Sequence, residues 1–184
     1  MLNKIALKTE LIPFFTEYLM ENGVGVIISE AMPQDSYMAI DIDKYYHYIV
    51  PNKTPAIADI ILVARKLSLK ELYHIYIIEM KNIKSPDGFK VNNVYEKFRT
   101  VIEDFMKIRY SDIFMDEKYQ IEKFRLFFIT DAYRLKKRGW TEKQINSFLL
   151  GTKIEALQSM PVFYYRNFRA VVEYKLPNPT LDWY

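Results

Sequence analysis

The stretch YHIYIIEMKN, Tyr73 to Asn82, decides how this chain reads. Its alternating apolar pattern predicts a half-buried strand, yet it carries Glu79 and Lys81 to its last step. Side chains in a strand change faces at every residue, so these two point the same way, roughly 6 to 7 Å apart. One strand end therefore aims a carboxylate and an amine at the same place.

Working outward, a second apolar run, Ile57 to Ala64, lies upstream across the short polar connection Arg65 to Glu71, and the two runs predict a hairpin. A turn near Ser68 sets Asp59 across from Glu79. Two neighbouring carboxylates repel unless one is protonated or a cation sits between them. A divalent ion such as Mg²⁺ relieves that repulsion, because it takes one or two carboxylates and completes its octahedron with water and substrate phosphate. Lys81, on the same face, would hold or deprotonate a water beside the ion, which is the chemistry of phosphodiester hydrolysis.

The rest of the chain supplies the frame. Leu11, Phe15, Tyr18 and Leu19 share a helical face and Asn22-Gly23 follow as a stop, so a first helix is expected over Thr9–Asn22. Strands are expected over Gly23–Glu30 and Tyr37–Tyr48, the latter alternating Met38, Ile40 and Ile42 against Ala39, Asp41 and Asp43. Ser85-Pro86-Asp87-Gly88 signals a turn, and Val91, Val94, Tyr95, Phe98, Val101, Ile102 and Phe105 have the spacing of a helix. Phe124–Thr130 reads as a strand, the capping-box spacing Thr141-Glu142-Lys143-Gln144 opens a helix expected to run from Glu142 to Leu157, and two strands are expected within Val162–Leu176. The order predicts a single α/β domain with a mixed central sheet and helices on both faces.

Pro55, Asp59 and Glu79-Met80-Lys81 resemble the signature of the PD-(D/E)XK nuclease superfamily, with the proline four places before the aspartate instead of adjacent. The element order over residues 9–130 is similar to that superfamily's core. The resemblance covers roughly residues 9–130 and implies a restriction-endonuclease-like fold, with 131–184 adding a helix and strands to a single nuclease domain 1–184, and a Mg²⁺-dependent cut of double-stranded DNA, with Mn²⁺ able to substitute. It implies Asp59, Glu79 and the Met80 carbonyl as metal ligands and Lys81 as the residue that positions the nucleophile. In size and layout the chain resembles the small cleavage subunit of a heterodimeric type IIS restriction endonuclease, whose larger subunit recognises the site. A homodimeric repair nuclease or junction resolvase of the same superfamily is the alternative within the class. A non-catalytic interaction module on the same scaffold is the alternative outside it.

Other residues join the candidates. Glu10, Glu17 and Glu21 would fall on one line of the expected first helix, and any of them could add a carboxylate; Asp41 and Asp43 offer the same less directly. His74 projects away from Glu79. For phosphate contacts the candidates are Lys84, Lys90, Arg134, Lys136, Lys137 and Arg138. A second Glu-x-Lys, Glu173-Tyr174-Lys175, has no carboxylate on the preceding segment to serve as partner and reads as a solvated strand end. Phe163, Tyr164, Tyr165 and Trp183 would serve either the core or a partner.

Composition sets the outer limits. The chain has no cysteine and two histidines, which excludes disulfides and thiolate metal sites and leaves oxygen as the metal donor. A net charge of +3 falls short of a protein that holds nucleic acid by charge alone. The opening MLNKIALK lacks the apolar core of a secretion signal, and the longest aliphatic run, Ile60 to Ala64, is too short to span a bilayer. A cytoplasmic protein is expected.

Overall fold

The structure, a computed structural model, describes residues 1–52, 54–66, 71–83, 89–131, 134 and 138–182. The expected Ser68 turn, the Ser85–Gly88 turn, Lys84, Lys136, Lys137 and Trp183 lie outside the described residues.

The N-terminal segment departs from the expected single helix. A short helix α1 (Leu2–Ala6) and a 3₁₀ turn over Thr9–Phe14 take its place. Pro13 sits inside that turn, where its missing N–H and fixed ring discourage a longer helix. Met20–Glu21 (β1) and Val24–Gly25 (β2) then form an antiparallel hairpin. Asn22 and Gly23 are both at positive φ, 49° and 79°, as a two-residue hairpin turn demands. The Asn-Gly pair is thus a hairpin turn and not a helix stop. β3 (Ile27–Ile28) is the other short piece of the expected Gly23–Glu30 strand.

β4 (Tyr37–Asp41) ends seven residues before the expected Tyr48, because the Asp41 carboxylate accepts the Lys44 amide at 2.8 Å and caps helix α2 (Ile42–Ile49). Ile42, Tyr45 and Tyr46 form the buried face of that helix. β5 (Ile60–Lys66) and β6 (Leu72–Met80) pair antiparallel, with Ile60 opposite Ile78 and Lys66 opposite Leu72. From Tyr73 to Met80 every residue of β6 is buried, so the strand is covered on both faces instead of one.

Helix α3 (Val91–Thr100) continues without a break into a π-helical stretch, Val101–Arg109. α4 (Ser111–Phe114) follows, and β7 (Gln120–Ile129) returns parallel to β6. The capping box at Thr141 and Gln144 opens α5 (Glu142–Leu149). Gly151, at φ 76°, separates α5 from α6 (Lys153–Gln158), so the expected long helix is two short ones. β8 (Phe163–Tyr165) and β9 (Phe168–Ala170) form a hairpin, β10 (Val172–Lys175) lies parallel on β7, and β11 (Thr180–Leu181) pairs parallel with β3.

The central mixed sheet has the order β10-β7-β6-β5-β4. On one face Tyr73, Ile75 and Ile77 of β6 pack with Ile61 and Val63 of β5 against the buried side chains of helices α1 to α6. On the other face Tyr76, Ile78, Met80, Ile60 and Leu62 meet Leu19, Val24, Val26 and Leu181. Helices on both faces were expected; among the described residues α1 to α6 gather on one face, and the N-terminal hairpin and the β3–β11 ribbon cover the other. The reason is the hairpin turn at Asn22-Gly23, which turns the expected helical layer into strand. Among the described residues no helix is long and apolar enough to cross a membrane.

Candidate active site

The β5–β6 register, continued by one residue, sets Asp59 opposite Glu79 on the helix-covered face. Asp59 is fixed from two sides. Its main-chain carbonyl accepts the Ile42 amide at 2.9 Å at the start of α2, and its carboxylate Oδ2 accepts the Met80 amide at 2.5 Å. The aspartate thus ties the end of β6 to the start of β5.

Glu79 is 1% exposed. A carboxylate that deep needs a partner. The partner is Lys97 of α3, whose Nζ stands 2.8 Å from Oε1 and donates to Oε2 at 2.9 Å. The helix brings Lys97 there because it lies three residues after Val94 and four before Val101, inside the stripe that packs on the sheet. Sequence reading missed this residue. Its signal was a lone cation within an apolar helical stripe.

Lys81, the amine expected beside Glu79, begins where β6 ends: its amide donates to the Ile129 carbonyl at 2.9 Å and its side chain is partly exposed. It lies close enough to Glu79 for its charge to pull the carboxyl down. The site therefore has two lysines, one bonded to Glu79 from the helix and one at the strand end.

The electrostatics follow from burial. Burial, then the Asp59 charge, push the Glu79 carboxyl up to about 8, against the pull of Lys97 and Lys81. Burial pushes Asp59 up to about 7, opposed by Lys97 and by the Met80 N–H. For Lys97 burial works against the ammonium, but the Glu79 charge and hydrogen bond, joined by Asp59, outweigh it and raise its pKa. Glu21 and Asp43 also push Asp59 upward, so both lie within electrostatic reach of it.

Of the three candidate glutamates, then, Glu21 comes near the pair, from the β1–β2 hairpin and not from a helix. Glu17 accepts a hydrogen bond from Gln34 at 3.2 Å, and Glu10 lies in the first turn of the 3₁₀ segment. Asp41 is spent on the α2 cap. Asp43 lies in the first turn of α2 and pairs with His47 at 3.4 Å.

His74 is fully buried on the opposite face, its Nε2 at 2.5 Å from Glu122, and burial lowers its pKa. Glu173 of the second Glu-x-Lys pairs with Arg125 at 2.8 Å and with Lys175 at 3.1 Å at a partly exposed edge strand. Among the candidate phosphate contacts, Lys90 is exposed at the N-cap of α3 and Arg138 is exposed. Arg134 lines a cleft of about 260 Å³ with Asn22, Asn82 and Asn178, next to the end of β6. Phe163 and Tyr165 are buried in the core, and Tyr164 is exposed.

Among the described residues no group of three or more Asp, Glu and His side chains converges to hold a metal ion. Asp59 and Glu79 would supply the carboxylates to such an ion, and the resemblance adds the Met80 carbonyl. Two carboxylates satisfy what Mg²⁺ asks of a protein, the remaining positions being filled by water and phosphate. In comparison with protein-family models, curated proteins and solved structures, nothing matches this chain.

Proposed function

We propose that this protein is a Mg²⁺-dependent endonuclease that hydrolyses phosphodiester bonds of double-stranded DNA. The observation that supports this best is the meeting of Asp59 and Glu79 at the ends of adjacent antiparallel strands, with an ammonium on the same face. A bound divalent ion would polarise the scissile phosphate and lower the pKa of a coordinated water. Asp59, Glu79 and the Met80 carbonyl are the residues that would hold it. Asp59 keeps its aim through the Met80 amide, so the carboxylate cannot turn away without breaking the strand end. Lys81, partly exposed at the rim, orients the attacking water. Lys90, Arg134 and Arg138 contact flanking phosphates.

Within this class the chain acts as the one-strand-cutting small subunit of a heterodimeric type IIS restriction enzyme, beside a larger DNA-recognition subunit. The test is a supercoiled-plasmid assay with Mg²⁺, with and without a candidate partner, on wild type, Asp59→Ala and Glu79→Ala. Metal-dependent nicking that both substitutions abolish supports the reading. Unchanged cutting in either variant overturns it. Robust double-strand cutting by the purified chain alone moves the assignment to the stand-alone homodimeric nuclease.

One observation favours the second reading, a non-catalytic scaffold: both Glu79 oxygens are already engaged by Lys97. That reading predicts equal Mn²⁺ binding by wild type and Asp59→Ala in calorimetry.

A further inference from the structure

Lys97 has no part in the chemistry outlined above, yet it makes the closest contact with one of the proposed metal ligands. Its ammonium spans both oxygens of Glu79, at 2.8 and 2.9 Å, with Asp59 contributing to the same field. With both carboxyls ionised, Lys97 bonded to Glu79 and Lys81 at the strand end, the site already holds two charges of each sign. A divalent ion added to that set, with the Lys97 ammonium in place, would meet a like charge a few ångströms away and a Glu79 whose two oxygens both already accept from Lys97. A divalent ion in place of the ammonium neutralises the pair.

Resting on the proposed function, we infer that Lys97 is a resident counter-ion of the metal site: it occupies Glu79 while the site is empty and leaves Glu79 when a divalent cation binds. The side chain is built for such an exchange. Lysine carries a compact charge on a flexible four-carbon stem, unlike the rigid fork of arginine. It is rooted on α3, a different element from either carboxylate, so its withdrawal does not disturb the β5–β6 register. At 19% side-chain exposure it also has a path toward solvent. The exchange makes and breaks no covalent bond; the ammonium leaves with its protons. What Lys97 sets is the metal affinity of the site, because each ion that binds must first displace it.

Two measurements test this. In wild type, lysine side-chain NMR (¹³Cε and ¹⁵Nζ) follows the Lys97 ammonium during a Mg²⁺ titration. The expected result is a shift of its resonance that saturates with the metal and is absent in Glu79→Gln. A resonance that stays put while the metal saturates the site overturns the inference. Calorimetry with Mn²⁺ in mildly alkaline buffer then compares wild type with Lys97→Gln and Lys97→Met. Affinity is expected to rise about tenfold, the factor that corresponds to losing one competing contact of ordinary strength. Equal or weaker binding overturns the counter-ion role and leaves the nuclease reading standing. No Mn²⁺ binding by wild type or either variant overturns both. If the substituted chains fail to fold, the wild-type titration decides alone.

Discussion

The tripeptide Glu-x-Lys ends two strands of the central sheet, β6 with Glu79-Met80-Lys81 and β10 with Glu173-Tyr174-Lys175. β6 is the middle strand, flanked by β5 and β7, whereas β10 is an edge. Glu79 is almost wholly buried, opposite a second carboxylate, and bonded to a lysine from another element. Glu173 is partly exposed, faces no acid across the sheet and pairs with Arg125 and its own Lys175. In β10 water screens the charges and the pairs contribute little. In β6 the same letters create a desolvated acid that requires a cation, and that requirement is what can be put to use. The neighbours across the sheet, and not the tripeptide, set the environment of each glutamate.

The comparison can be broken most directly through stability. Lys97→Met leaves Glu79 as an uncompensated buried acid, so urea denaturation is expected to show a loss of about 3–5 kcal/mol. Arg125→Ala, which leaves Glu173 paired with Lys175 alone, is expected to cost no more than about 1 kcal/mol. Equal losses would erase the distinction between the two strand ends. Activity is the next test: Glu79→Ala should reduce Mg²⁺-dependent plasmid cleavage by at least about a hundredfold, the scale of losing one preorganised electrostatic contact. Glu173→Ala should leave the rate within about twofold of wild type.

The dependence on pH sharpens the contrast. Asp59 and Glu79 are held up to about 7 and about 8, far above their ordinary range in an unfolded chain. The folded protein therefore binds more protons than the unfolded one across that interval, so its metal-free stability falls as pH rises from mildly acidic toward 8. Protons must leave these carboxyls before a metal can enter, so Mn²⁺ affinity climbs over the same interval. Denaturation and calorimetry at the two ends of the range, with Asp59→Asn as the flattened reference, measure both slopes. The smallest effect belongs to the hairpin that brings Glu21 toward Asp59. Gly23→Ala forces a side chain onto a φ of 79° and should cost about 1 kcal/mol in thermal or urea unfolding.

Much of this was legible in the chain, and the misses share a physical pattern. The β5–β6 pairing could be read because two apolar runs flank a short polar connection and register then follows from the turn. The facing of Asp59 and Glu79 came with it. The N-terminal layer could not be read from periodicity, since Leu11, Phe15, Tyr18 and Leu19 fit a helical face, while Pro13 and the Asn22-Gly23 turn outweigh that spacing. At Asp41 a side-chain cap overrides an alternation that looks like strand. Lys97 was missed because Glu96 and Arg99 close by in the sequence suggest a solvated face, although its helical spacing from Val94 and Val101 sets it in the apolar stripe. The π-helical stretch left no trace either: Val101, Ile102, Phe105 and Met106 fit either winding of the helix.

The β6–β7 pairing joins Leu72 to Gln120 across the whole helical crossover that carries Lys97. Parallel strands so far apart in the chain meet only after a long loop has closed, which slows the search for the native topology. The Glu79–Lys97 bond cannot form until that crossover has docked on the sheet. During refolding it is therefore a late event, and Lys97→Met is expected to speed unfolding while leaving the folding rate nearly unchanged in a denaturant chevron.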